Sequence, residues 1–427
     1  MEQQATIDVA VVGAGIVGIC CACLLKQEGL NVLLLDRLPP VEGASKGNAG
    51  HFATEQVIPL ASPHILTKIP AMLLNPLGPV AIQWTYLPQI LPWLLRFIWQ
   101  SRMDTFKQNM LALQALNEQA LMAYQPLLKA AGVEYLVSIN GSMVVFESQA
   151  AFTASQAQYQ LMADHGVTVN YLTAEEIREL EPQLSQQLTA GVLFPNTGHT
   201  INPYRLAMCL YDFYRQIGGH FQCADVVALY KEADGCVIKT QANACQTDSA
   251  SPYHMSHYKV PRLVLTTGAW SKQWVQQLTG IKVPLDTERG YHLMVPEAAN
   301  MLKMAVSSGE RKFIMTPMEE GLRLAGTVEF AGLKRPANMK RADILFHHAK
   351  ALLPTLPEQQ GERWMGFRPS LPDSLPVIDQ QGPVYFAFGH QHLGLTQAAI
   401  TGQLIKEMIK GVKPSLELNP YRINRFS

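Results

Sequence analysis

The chain has no excess of charge of either sign: 34 Lys and Arg stand against 34 Asp and Glu in 427 residues. The basic surface that nucleic acid requires is missing, so nucleic acid is not an expected partner. No apolar run is long and clean enough to cross a bilayer. The most apolar stretch, Ile69 to Trp99, is broken by Pro70, Pro76, Pro79, Pro88 and Pro92. The opening "MEQQATID" is polar and acidic, which does not fit a signal peptide. No internal repeat is visible. The seven cysteines fit a reducing compartment, hence a cytoplasmic location, and Cys209, Cys223, Cys236 and Cys245 show no metal-like spacing. Cys20 and Cys23 have the C-x-x-C spacing of a redox pair. With Cys21 they lie on a short helix that should pack on a sheet, where Cys serves as a small apolar residue, and core packing is the expected role.

What is present begins with Asp8. "DVAVV" is a short β-branched run that fits a buried strand. Gly13, Gly15 and Gly18 follow in G-x-G-x-x-G spacing, then a helical run to Gly29, then "NVLLLD" as a second buried strand ending in Asp36. Gly13 allows the tight turn, Gly15 lets the backbone approach a pyrophosphate, and Gly18 lets helix and strand pack closely. The helix N-terminus offers unpaired N–H groups and its positive dipole end to a diphosphate. A carboxylate at Asp36 can accept both ribose hydroxyls. Strand, glycines, helix, strand and acid in this order predict a dinucleotide site.

The 427 residues suggest two or three domains, or two interleaved ones, and 48% apolar content is ample for large cores. A long helix is expected over Asp104–Ala131, and a hairpin over Val133–Ser148 turning at Asn140–Gly141. Another helix should end at Gly166, and Thr173 with Glu176 forms a capping box. A helix follows Pro203, and "HFQCADVVALYKEADGCVIKT" reads as a strand pair. Gln246 to Lys259 reads as a polar surface loop. "VPRLVLTTGAW" is a buried strand, three alternating segments from Val283 to Gly332 read as antiparallel strands, a helix follows near Ala342 to Leu353, and the C-terminal region reads strand, loop, long helix.

In this layout the chain resembles the FAD-dependent D-amino acid oxidase and dehydrogenase superfamily. "VAVVGAGIVG" with "LLLDR", "GNAGH", "GHTINPYRLA", "LVLTTGAWS", "WMGFRPSLPDSLPVID" and "FGHQHLGLTQAAITG" carry the resemblance over nearly the whole length. "GNAGHFATEQVIPLASP" and "ERGYHL" look most like bacterial D-amino acid dehydrogenases, of the D-hydroxyproline dehydrogenase type. The resemblance implies a mixed α/β fold: a Rossmann-like FAD-binding domain (1–62, 185–282 and 341–427) interleaved with a substrate domain (63–184 and 283–340) built on an antiparallel or mixed sheet plus helices. It implies FAD contacts from Gly13, Ala14, Gly15, Ile16, Val17 and Gly18, from Asp36 and Arg37, and from Ser45, Asn48, Ala49, Gly50 and His51, with His51 near the isoalloxazine. Further contacts are implied for Val226, Gly268 and Trp270, and for Gly389, His390, Leu393, Gly394, Leu395 and Thr396. A helix opening near Leu393 to Thr396 would set its positive end toward the flavin pyrimidine. His390 and His392 form an H-x-H pair, but no third metal ligand is evident, and no metal is expected. Relatives of the sarcosine oxidase branch link flavin through a Cys. This chain has none after Cys245, so FAD should be noncovalent.

The implied substrate is an amino acid. Arg368 matches the position that clamps its carboxylate, and Arg offers the bidentate fork that Lys lacks. Strand alternation sets Arg289 and Tyr291 on one face and His292 on the other, with Tyr291 a second substrate contact. Where some relatives carry another Arg, this chain has Gln391 and His392, which points His392 at a ring or an amine. His51, Tyr291, His392 and Arg368 are thus the expected reaction-site residues, in oxidation of a D-amino acid or a cyclic or secondary amino acid such as D-proline or hydroxyproline. The electrons would pass to a quinone or another acceptor, an artificial dye included. An oxygen-using oxidase of the glycine or sarcosine type, and a non-catalytic FAD-bearing subunit of a membrane complex, remain alternatives. Trp84, Trp93 and Trp99, with Arg96, suit a peripheral contact with the inner face of the cytoplasmic membrane. A buried helical hairpin fits the same residues.

Overall fold

The computed structural model describes residues 6–63, 78–242 and 257–427. Pro70 and Pro76 of the apolar stretch, Cys245, and residues 246–256 of the expected polar loop lie outside that range. His257–Val260 is not loop but the edge strand of a three-stranded sheet with Asp225–Glu232 and Gly235–Gln241.

The expected nucleotide elements form one six-stranded sheet in the order His220–Cys223, Val32–Asp36, Val9–Val12, Arg262–Leu265, Val384–Phe388, Val377–Gln381. All neighbours are parallel except the last pair. The central strands are buried on both faces, which explains their unbroken Val/Leu character. The helix Ile16–Gln27 lies under this sheet and packs on Gly394–Lys410, where a Cβ at Gly402 would stand 3.0 Å from the Cys20 carbonyl carbon. Cys20, Cys21 and Cys23 are fully buried free thiols in that core. Burial pushes the Cys20 thiol up to about 12, which leaves no thiolate for redox chemistry.

The second large sheet has nine strands. Asp286–Val295 and Gly321–Phe330 are its long central pair, and Arg363–Ser370 flanks the former. Ala190–Phe194 and Arg363–Ser370, grouped by sequence with the nucleotide segments, pair in this sheet. The expected hairpin at Asn140–Gly141 is corrected. The chain does turn there, with Gly141 at φ +89°, but Val137–Ser138 pairs with Gly198–Thr200, and Ser142–Phe146 pairs with Ala190–Phe194 and Ala305–Ser308. The capping box forms: Thr173 Oγ1 accepts from Glu176 N, and the Glu176 carboxylate accepts from Thr173 N at 2.7 Å.

Leu87–Gln100 is one continuous helix, not short pieces; Pro88 sits in its first turn, where the N–H is unbonded anyway, and Pro92 inside it. Its inner face buries Ile90, Trp93 and Phe97, whereas Trp99 and Leu95 are each 60% exposed. Trp93 is therefore core rather than an anchor: it stacks on Phe97 at 5.2 Å and donates Nε1–H to Ser370 O at 3.3 Å. Among the described residues, no helix is long and apolar enough to cross a membrane.

Candidate active site

The strand Val9–Val12 runs into Gly13, which has φ +115° and donates its N–H to Leu35 O at 2.7 Å. A Cβ on Gly18 would lie 1.8 Å from Gly13 O, so only glycine lets the helix start flush against the turn. Asp36, at the end of the neighbouring strand, accepts Ala14 N–H at 2.6 Å on one oxygen and Leu38 N–H at 3.0 Å on the other. Burial raises its pKa against the pull of these donors. Ile16 N–H is taken by Ser45 Oγ at 3.0 Å, which ties the glycine turn to the Gly47–Gly50 loop.

A cavity of about 310 Å³ runs from this turn to the second sheet. A buried carboxylate at a strand end, a glycine cradle and an open helix N-terminus fit a dinucleotide diphosphate and ribose. Beyond Asp36, the Arg37 guanidinium lies 4.1 Å over the Trp270 ring, and Trp270 meets Phe367 edge-on. The 47–50 loop crosses the cavity. Gly47 O meets His292 Nδ1 at 3.0 Å, Asn48 O accepts Arg323 Nη1–H at 2.6 Å, and Asn48 Oδ1 accepts Gly50 N–H at 2.8 Å. Asn48 therefore spends its side-chain oxygen on its own loop. The Trp364 ring stacks on His292 and fills the space where side chains at Gly47 and Gly366 would stand.

All the residues expected from sequence line this cavity except Ala14, Gly18, Gly50, His51, Leu393 and Thr396. Ala14 and Gly18 hold the turn from behind. Gly50 O bonds Thr200 N–H, Thr396 Oγ1 accepts Ala53 N–H at 3.0 Å, and Leu393 is packed in the core. His51, expected near the isoalloxazine, stands back from the cavity lining. Its ring is bonded on both sides, to Gly198 O and Glu55 Oε1, each at 3.0 Å, and it does not reach the cavity wall. Burial opposes its charge, but the Glu55 carboxylate and the Gly198 carbonyl outweigh burial and raise its pKa.

At the far end lies Arg368. Its guanidinium lines the cavity and has no hydrogen bond or ion pair with the described residues; burial lowers its pKa, with the Glu288 charge opposing. Tyr291 also lines the wall, with its ring. Its hydroxyl is taken: it donates to Glu329 Oε2 at 2.6 Å and accepts Asn338 N–H at 3.2 Å. Arg289 shares its face, as alternation predicts, but is fully buried and donates to the carbonyls of Gly332 and Arg335 at 2.8 and 2.7 Å. His392 faces the cavity, and neither ring nitrogen is bonded among the described residues. Burial, then the Arg368 charge, hold its pKa down at about 4. His390 lines the wall too, but its Nε2 is bonded to Thr401 Oγ1 at 2.9 Å. Among the described residues, no group of three or more His, Cys, Asp or Glu could hold a metal ion.

Sequence reasoning missed Trp364, Gly366 and Gly290, which shape the wall, and Glu288, Glu329 and Ser370 behind it. Trp364, Gly366 and Ser370 stood in one quoted motif and Glu288 and Gly290 in another, but their placing around the cavity depends on cross-strand register, which the sequence does not display.

The fold and the cavity define a dinucleotide-dependent oxidoreductase. Residues 8–408 match the DAO family, FAD dependent oxidoreductase, and the chain belongs to it. It is 34% identical over 429 residues to the D-amino-acid oxidase of Bradyrhizobium diazoefficiens, covering 98% of each chain. It is 26% identical over 423 residues to the D-amino acid dehydrogenase of Dechloromonas aromatica, covering 96% of this chain and 98% of that one. Glycine oxidase from Geobacillus kaustophilus shares the fold at a TM-score of 0.74 and 20% identity, covering 98% of each chain. L-proline dehydrogenase from P. horikoshii shares it at 0.73 and 16%, covering 99% of this chain and 98% of that one.

Proposed function

We propose that this FAD enzyme oxidises the Cα–N bond of a D-amino acid, or of a cyclic or secondary amino acid of the D-proline or hydroxyproline type, and passes the electrons to a quinone or another acceptor. One observation carries the reading: the half-buried guanidinium of Arg368, with no bonded partner among the described residues, on the wall of the cavity that begins at the glycine turn. A cation partly withdrawn from water without a partner is costly, and a substrate carboxylate supplies the missing bidentate acceptor. The neutral His392 imidazole stands ready to accept an N–H from the substrate amine. Trp364, Phe367 and the Tyr291 ring give flat apolar walls that seat a ring and exclude water. The helix Gly394–Lys410 opens at the cavity, where its unpaired amides favour negative charge. When bound, FAD supplies the hydride-accepting chemistry, so the side chains serve to orient the α-carbon and hold the amine unprotonated.

The test is anaerobic. The purified yellow protein is offered D-amino acids, D-proline, hydroxyproline, glycine and sarcosine. Bleaching of the flavin bands by a D- or cyclic amino acid is expected. A protein that no amino acid bleaches would be a flavin-bearing subunit instead. The relative named as an oxidase at 34% identity favours oxygen as a second reading of the acceptor. Stoichiometric peroxide in air would establish that reading. We further propose that the exposed face of Leu87–Gln100 (Leu91, Leu95, Ile98 and Trp99), with Trp84 just before it, rests on the membrane that carries the quinone.

A further inference from the structure

We propose that Ser370 and Gly290 keep the Arg368 guanidinium free for a substrate carboxylate by holding it apart from its strand neighbour Glu288. The inference rests on the carboxylate-binding reading of Arg368 given above. Glu288 and Arg368 are directly opposed on antiparallel strands, Asp286–Val295 and Arg363–Ser370. Opposite charges so placed normally pair. Glu288 is buried and Arg368 half-buried, which strengthens the attraction. Yet no ion pair joins them.

Two features account for this. The Glu288 carboxylate already has a donor: Ser370 Oγ–H reaches its Oε1 at 2.5 Å. Arg368 leans the other way, along the partner strand and over Gly290, where a Cβ would lie 2.4 Å from its Cζ. Only glycine leaves that bed open. Tyrosine hydroxyls serve two other acids nearby, Asp286 on the same strand and Glu329 on the neighbouring Gly321–Phe330. Asp286 accepts the Tyr86 hydroxyl at 3.0 Å on each oxygen, and Glu329 accepts the Tyr291 hydroxyl at 2.6 Å. Each of these acids thus has a neutral hydroxyl donor, although Glu329 also stands 3.7 Å from Arg289 Nη1. Glu288 still balances the buried positive charge through space, without occupying the donors that a ligand needs. Ser370 is a positioning residue: it does not line the cavity and acts through Glu288.

The experiment measures the dissociation constant of pyrrole-2-carboxylate, a planar acid with no α-hydrogen to lose, from the visible difference spectrum of the FAD-loaded protein. KM and kcat for the bleaching amino acid are measured beside it. Ser370→Ala frees Glu288 to pair with Arg368, so affinity and KM should worsen tenfold or more, with kcat changed far less. Ser370→Thr keeps the hydroxyl and should bind as the wild type does. Glu288→Gln removes the competing charge and should bind at least as tightly as wild type. The double variant Ser370→Ala with Glu288→Gln should recover the affinity lost by Ser370→Ala alone. Binding by Ser370→Ala within twofold of wild type, or a double variant as weak as the single one, overturns the inference. If Ser370→Ala does not fold, Glu288→Gln decides: a tenfold loss of affinity there overturns it. Arg368→Lys separates the two levels. If it binds the acid normally, the carboxylate reading itself fails. If it binds poorly while Ser370→Ala binds normally, only the present inference fails.

Discussion

A guanidinium that meets no acceptor among the described residues is held at a cost, and the ligand that relieves it should depend on its shape as well as its charge. Arg368→Lys is therefore expected to keep FAD bound, and the protein yellow, while KM rises strongly. Loss of a bidentate charge-assisted pair in a dry site costs on the order of 2–5 kcal/mol. Unchanged kinetics in a folded, yellow Arg368→Ala variant would remove Arg368 from the site. His51 makes a different prediction, because it serves stability rather than the cavity. Its folded pKa is raised, so its contribution is complete below the unfolded value of about 6.5 and disappears as pH rises through the folded value. The melting-temperature gap between wild type and His51→Gln should be widest on the acid side of neutrality and should close on the alkaline side. A gap independent of pH would mean that the ring works as a neutral hydrogen bonder. Arg368 was readable from its motif, since "GFRP" gives residue and neighbourhood together. The withdrawal of His51 was not readable, because Glu55, four residues on, captures the ring only once the short His51–Phe52 strand is formed.

Elements show where local rules were followed and where tertiary context overrode them. The Rossmann-like elements, the capping box and the long helix Met103–Ala131 fall where periodicity and end signals put them. Asn140–Gly141 signalled a turn correctly, but a turn does not choose its strands' partners; Ser142–Phe146 buries both faces only in the larger sheet. In the helix Leu87–Gln100, composition could not tell the buried stripe from the exposed one. The structure separates them, and the variants should too. Trp93→Ser empties a core position and is expected to cost about 3–5 kcal/mol, read as a large fall in melting temperature. Trp99→Ser should melt as wild type but lose liposome flotation. A wild type that stays with the unbound fraction, or a Trp99→Ser that floats equally well, would refute the bilayer contact. The strand Gly321–Phe330 carries a bulge at Thr327, opposite Gly290 and Tyr291. Thr327 has φ +56°, rare for a β-branched residue, and its buried hydroxyl has no partner among the described residues. Thr327→Gly should therefore raise stability by about 1 kcal/mol, against the usual sign for glycine in a strand. A lowered melting temperature would show that contacts of the threonine outweigh its strain.

The molecule as a whole carries several histidines folded in neutral form. Burial lowers the pKa of His199 to about 4, and those of His292 and His390 to about 3. Between the unfolded value near 6.5 and these values the unfolded chain binds protons that the folded one refuses, so stability falls as pH falls. Each such ring contributes up to about 1.4 kcal/mol per pH unit. The buried acids Asp36, Asp286 and Glu288, with raised pKa values, act in the opposite sense at the low end. A steep loss of melting temperature is expected from pH 6.5 to 4.5, and His199→Asn should flatten it. A flat profile in the wild type would contradict the neutral assignment. At this scale the recurrence of nucleotide-type strands at the start, middle and end of the chain was legible, because each is a short apolar run beside glycine. The neighbours chosen across the nine-stranded sheet were not, since register between distant segments leaves no periodic mark. The order of the six-stranded sheet reaches into biosynthesis. Val9–Val12 leaves the ribosome early, yet its neighbour Arg262–Leu265 comes midway and the flanking Val384–Phe388 comes late. At 5–20 residues per second the first strand waits roughly 20 to 70 s for the sheet to close around it. During that interval the glycine turn exists without its far wall, so nascent chains should be open to protease and chaperone and should take up flavin only when synthesis is nearly complete.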